Sequence, residues 1–154
     1  MGSLEENIVS AFADVPKPNG SRSIAPHECP ECDEIEKQFS PYTFTNLPAK
    51  VIDYHKDSLS LFSSEALHHY LPAYLLRALQ RPEGDVLEYT IFFLTPSHKR
   101  IAEDTAYFEE RFSVFNTVQR AVISSFFGEV EKKKLWEGFE GEFERAEELW
   151  GHET

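Results

Sequence analysis

The chain has 154 residues, of which 41% are hydrophobic and 14% aromatic, with 13 phenylalanines. That is the length of one domain with enough apolar material for its own core, and it excludes disorder over most of the chain. The 27 acidic and 15 basic residues leave a net charge of −12; this repels phosphate backbones and anionic lipid surfaces and attracts basic protein surfaces.

Nucleic acid and membranes are therefore set aside as partners. The N-terminus has no positive region leading into an apolar run, and no stretch reaches the length of a membrane span. The two cysteines do not amount to a disulfide scaffold. The expected location is the cytoplasm.

In chain order, Leu4 to Val15 predicts a first helix. Leu4, Ile8, Ala11 and Phe12 share a face, and Ser3 and Glu6 have the spacing of a capping box. Residues 16–26, with three prolines and a glycine, predict a mobile loop. A second helix is expected within His27 to Ser40, opened by Pro30 and turning Cys32, Ile35 and Phe39 inward. Tyr42 to Leu47 alternates and reads as a short extended segment. Pro48 to Leu59 predicts another short helix, with Val51, Ile52, His55 and Leu59 on its face.

Ser63 to Gln80 is the most strongly periodic stretch and is expected to be the central core helix. Leu67, Tyr70, Leu71, Tyr74, Leu75, Ala78 and Leu79 fall on one face. A serine caps its start, Arg81-Pro82 ends it, and Pro72 inside it predicts either a kink or the start of a second helix. His68 is expected to border the apolar face, with His69 pointing further away; adjacent positions stand about 100° apart.

Asp85 to Leu94 fits either period, and its helical neighbours favour helix. A short helix is expected around Ala106 to Phe112. Asn116 caps the next, Thr117 to Phe127, with Val118, Ala121, Val122, Ser125 and Phe126 inward and Gly128 as C-cap. The last element, Glu129 to Trp150, places Leu135, Trp136, Phe139, Phe143, Ala146 and Trp150 on one stripe. The whole predicts an all-α single-domain bundle of about six to eight helices around a central Pro-kinked helix. Its core would be residues 1–128, and residues 129–154 would form a charged C-terminal helix.

Two stretches bear on function. His27, Cys29 and Cys32 lie within six residues and suit zinc by ligand type, with His55, His98 or a carboxylate as a distant fourth ligand. A Cys-x-x-Cys at a helix start also suits a redox pair, although Glu28, Glu31, Asp33 and Glu34 oppose a thiolate there. The third reading is that both cysteines pack as small hydrophobes. In the last helix, Glu140, Glu144 and Glu148 form one ridge of like charge, extended by Glu137 and Glu147 and relieved by Lys133 and Arg145. It reads either as a solvated face or as a surface for a basic protein site. No Gly-rich phosphate loop, nucleophile elbow or HExxH motif occurs.

The segments HECPECDEIEKQF, LPAKVIDYHKDSL and SSEALHHYLPAYLLRAL resemble an uncharacterised bacterial family, a domain of unknown function. Its shared stretches correspond to His27, Cys29, Cys32 and Glu34, and to Glu65, Ala66 and Tyr70 through Leu76. The resemblance covers residues 5–127, leaves the segment beyond Gly128 outside, and implies a small α-helical domain with no established activity.

The leading expectation is a non-enzymatic, acidic protein-binding module, such as an immunity protein or antitoxin occluding the basic site of a toxin. It would bind through Glu137, Glu140, Glu144, Glu147 and Glu148. The alternative is a zinc-binding or thiol-redox domain using His27, Cys29 and Cys32, zinc being the one cofactor considered.

Overall fold

The computed structural model describes residues 2–138 and 141–151, and among these every regular element is helical. The nine α-helices are α1 (Leu4–Phe12), α2 (Pro30–Phe39), α3 (Ala49–Tyr54), α4 (Ser64–Gln80), α5 (Asp85–Leu94), α6 (His98–Glu103), α7 (Thr105–Phe112), α8 (Thr117–Lys132) and α9 (Glu142–Trp150). A single 3₁₀ turn, Leu59–Leu61, leads into α4.

The fold is organised by α4. Ten of its 17 residues are buried, more than one stripe, which is the signature of a helix enclosed by others. It packs against α1, α3, α5 and α7, while α8 packs on α1 and α9, and α9 also touches α5. Pro72 lies inside α4, and the helix continues through it as one element. Two tyrosines on α4 reach polar groups across the core. The Tyr70 hydroxyl donates to the Tyr42 carbonyl at 2.7 Å, with the Phe39 carbonyl at 3.0 Å, and the Tyr74 hydroxyl donates to the His55 carbonyl at 2.8 Å. Burial holds both phenols above their ordinary pKa, so each remains a donor.

The predicted N-terminal caps of α1, α4 and α8 are present. Ser3 and Glu6 form the capping box of α1, the Ser63 hydroxyl accepts the Ala66 N–H, and Asn116 with Gln119 caps α8. Other expectations are corrected. The segment 42–47 turns at residues 44–46, because the Asn46 side chain accepts the Thr43 N–H at 2.8 Å and, among the described residues, no strand is present to pair with it. The segment 16–26 is irregular but pinned. Ile24 and Ala25 are buried, their N–H groups donate to Glu36 Oε1 at 2.7 and 2.9 Å, and the Ser63 N–H donates to the Ile24 carbonyl. Ser97 caps the additional helix α6.

Gly128 does not stop α8, which runs on to Lys132. The stop is a Schellman arrangement: Leu135 N–H donates to the Val130 carbonyl, Lys134 N–H donates to the Glu131 carbonyl, and Lys134 is left-handed at φ 53°. The C-terminal segment is thus a broken pair, and no structural boundary falls at residue 128. The inward phase of α8 also differs. Val122, Ile123, Phe126, Phe127 and Val130 are buried, whereas Val118 is 61% exposed and Ala121 and Ser125 face out. The side packed on α1 and α9 sets this phase.

Three side chains fasten α9 to the body. Trp150 Nε1–H donates to the Leu94 carbonyl at 2.8 Å, and Arg145 Nε–H donates to the Thr95 carbonyl at 2.9 Å. Arg120 donates to the carbonyls of Phe112 and Leu149 and stacks over the Trp150 ring at 4.7 Å. These donors serve the carbonyl ends of α5, α7 and α9, which lack partners within their own helices.

Candidate functional site

Among the predicted acidic residues, Glu144, Glu147 and Glu148 stand exposed on α9, and Glu137 is exposed in the segment before it. Glu140 lies outside the described residues. Because the helix breaks between Lys132 and Glu142, Glu137 is not on the same ridge as Glu144 and Glu148. Glu148 Oε2 meets His98 Nε2 at 2.8 Å, and both are well exposed, so the pair contributes at most about 1 kcal/mol. Glu142, which the sequence did not single out, is buried, with Arg145 at 4.0 Å. Its place at the first turn of α9 suits the helix dipole.

Beside this helix runs an aromatic row in which Trp136 and Phe143, expected on the stripe of the last helix, meet Phe92, which the sequence did not single out. Phe92 is exposed, and Trp136 and Phe143 are only half-buried. Their rings stack edge to face, with centroids 5.6 Å apart for Phe92 and Trp136 and 6.1 Å apart for Trp136 and Phe143. Trp136 Nε1–H also points to Glu88 Oε1 at 3.5 Å. Phe143 and Glu147 are four apart on α9 and therefore neighbours on its surface. The row gathers residues from α5, the 133–141 connection and α9, so no single stretch of sequence displays it.

The second site is the start of α2. Cys29 is its N-cap, extended at φ −150°, and its sulfur accepts the Cys32 N–H at 3.2 Å. Pro30 follows at the first helical position. The sulfurs of Cys29 and Cys32 lie 2.7 Å apart; both are free, Cys29 half-buried and Cys32 buried. Burial, then the hydrogen bond with Cys29, pushes the Cys32 thiol up to about 11. Arg22, left-handed at φ 60°, lies across this end of the helix, donating to the His27 carbonyl at 3.1 Å and pairing with Asp33 at 2.6 Å.

The carboxylates expected to oppose a thiolate are largely engaged. Asp33 pairs with Arg22, Glu31 accepts the Ser58 hydroxyl at 2.9 Å, and Glu34 accepts the Tyr54 hydroxyl, which raises that phenol's pKa. His27 is exposed. Among the described residues no group of three or more His, Cys, Asp or Glu is arranged to hold a metal ion. Two thiolates on one tetrahedral zinc stand about 3.8 Å apart, so zinc binding would require the pair to open.

The more distant histidines are otherwise occupied. His55 is buried, with Nε2 2.7 Å from Gln38 Oε1 and Nδ1 3.4 Å from the Ser58 hydroxyl. The His55–Gln38 and Ser58–Glu31 bonds tie the end of α3 to α2, and Ser58, itself fully buried, offers no nucleophile to a substrate. On α4 the expected order is reversed: His69 is the buried histidine and His68 is half-buried. His69 Nδ1–H donates to the Val15 carbonyl and Nε2 accepts the Phe44 N–H, each at 3.1 Å. Burial lowers the pKa of His55 and of His69. His68 Nε2–H donates to Gln119 Oε1 at 2.8 Å, bridging α4 and α8. Such rings are structural ties.

Open hollows also mark the surface, one of them about 410 Å³ over Phe44, Leu47, Ile52, Ala73 and Leu76. Among the described residues no helix is long and apolar enough to cross a membrane.

Fold and surface together define a small all-helical protein built on one enclosed helix, with a capped Cys-x-x-Cys at one helix start and an aromatic row beside an acidic helix. The chain belongs to the family of unknown function DUF6714, whose model matches residues 2–154. The match takes in the segment beyond Gly128, which the sequence resemblance had left outside. No curated protein and no solved structure matches the chain.

Proposed function

We propose that this protein is a non-enzymatic binding module for a partner with a basic surface, of the kind an immunity protein or antitoxin presents to a toxin. The observation that carries the reading is the placement of Phe92, Trp136 and Phe143, partly open to solvent, beside the exposed carboxylates Glu137, Glu144, Glu147 and Glu148. Aromatic anchors bordered by charge are the anatomy of a protein interface: the rings supply affinity, while the charges set orientation and speed of encounter. The ties of Trp150, Arg145 and Arg120 hold α9 in place before binding, which lowers the ordering cost on association. The net charge of −12 acts in the same direction.

The test is capture from the source organism with wild-type protein and with a Glu144→Lys, Glu147→Lys, Glu148→Lys variant. A partner of basic surface, held by the wild type, released by salt and lost with the variant, supports the reading. Absence of a partner, or a partner indifferent to the charge reversal, refutes it.

A further inference from the structure

We propose that Cys29 and Cys32 form a thiol–disulfide exchange site that takes cationic disulfides, with Cys29 attacking and Cys32 resolving. The geometry divides the two roles. Cys29 is the half-buried residue; its sulfur accepts the Cys32 N–H at the start of α2, and its thiol donates to the enclosed Cys32 sulfur 2.7 Å away. Cys29 is therefore the sulfur that an incoming disulfide reaches first. Cys32 is enclosed, and its raised pKa keeps it protonated until Cys29 has reacted. Closing the two sulfurs to the bonded distance of about 2.05 Å takes less than about 1 Å of movement. Arg22 pairs with Asp33, while Glu31 and Glu34 accept the hydroxyls of Ser58 and Tyr54 and keep their negative charge. What remains of that field, with exposed Glu28 beside it, favours a positively charged substrate.

The chemistry needs only the substrate disulfide as oxidant. The Cys29 thiolate attacks one sulfur of R–S–S–R. The S–S bond breaks, and the departing thiolate takes up the proton Cys29 released. Cys32 then gives up its proton and attacks the Cys29 sulfur. The mixed disulfide breaks, and the second thiolate leaves and is protonated. Two protein thiols are oxidised to one disulfide, and one substrate disulfide is reduced to two thiols.

The test uses the full chain with cystamine, a dicationic disulfide, and with oxidised glutathione, which is anionic. The expected results are loss of two hydrogens per chain by intact mass, faster reaction with cystamine, and narrowing of that preference as salt is raised. Cys32→Ala should trap one adduct on Cys29, and Cys29→Ala should react about tenfold more slowly or worse. In the wild-type protein, which needs no variant to fold, limited alkylation should mark Cys29 before Cys32. Failure to form the internal disulfide in excess cystamine, first modification at Cys32, or oxidised glutathione reacting as fast as cystamine would overturn the proposal. None of these readouts depends on the partner surface at α9.

Discussion

His69 ties the central helix to two distant segments, and the fold should register its loss in a defined way. In His69→Phe the ring is kept while both hydrogen bonds, to the Phe44 N–H and the Val15 carbonyl, disappear. Phe44 is buried, so its orphaned N–H costs about 1–3 kcal/mol, whereas the half-buried Val15 carbonyl recovers part of its loss from water. The expected destabilisation is about 2–3 kcal/mol, a large share of the 5–15 kcal/mol typical of a domain. A pH effect accompanies it. Burial, the largest cause, lowers the folded-state pKa of His69 below its ordinary 6.5. Above about 6.5 the ring is neutral in both states, and its stabilising role is complete. Below that, the unfolded chain takes the proton first, so stability falls as pH drops, by at most about 1.4 kcal/mol per unit from this residue. Urea unfolding at pH 7.5 and pH 5.5 measures both effects. Wild type should lose stability toward pH 5.5, and His69→Phe should lose less; it keeps the contribution of His55, whose pKa is shifted in the same direction. A destabilisation under about 0.5 kcal/mol at pH 7.5, or an unchanged pH difference, would refute the reasoning.

Trp150→Ala should cost about 3–5 kcal/mol through lost packing, with the Leu94 carbonyl and the face of Arg120 left without their partner; a loss under about 1 kcal/mol in urea unfolding would mean that α9 is not fastened as described. Exchanging the glycine between two positions tests the helix stop. Gly128→Ala meets nothing within 4 Å in the middle of α8 and should stabilise by about 0.5–1 kcal/mol. Lys134→Gly relieves a left-handed residue and should also stabilise, by up to about 1 kcal/mol. Thermal melts that fall in both variants would place the end of α8 elsewhere.

Much of the architecture was legible because its causes are local. Ser3 with Glu6, Ser63, and Asn116 with Gln119 form caps from residues three apart. The stripes of α1, α2 and α4 follow from the pitch of a helix, so periodicity alone identified them. The spacing of Cys29 and Cys32 brings their sulfurs together for the same reason. The other features depend on chain segments that meet only in the folded molecule. Which of His68 and His69 is buried was decided by a carbonyl and an amide 54 and 25 residues away. The stop of α8 lies at a lysine in a conformation that composition does not announce, past a glycine that the helix absorbs. The carboxylates around Cys29 acquired their partners from Arg22, Tyr54 and Ser58, and the row of Phe92, Trp136 and Phe143 exists only because α5 and α9 pack together. Short-range geometry is written in neighbouring residues, whereas burial and polar pairing are settled by whichever distant groups arrive to fill a space.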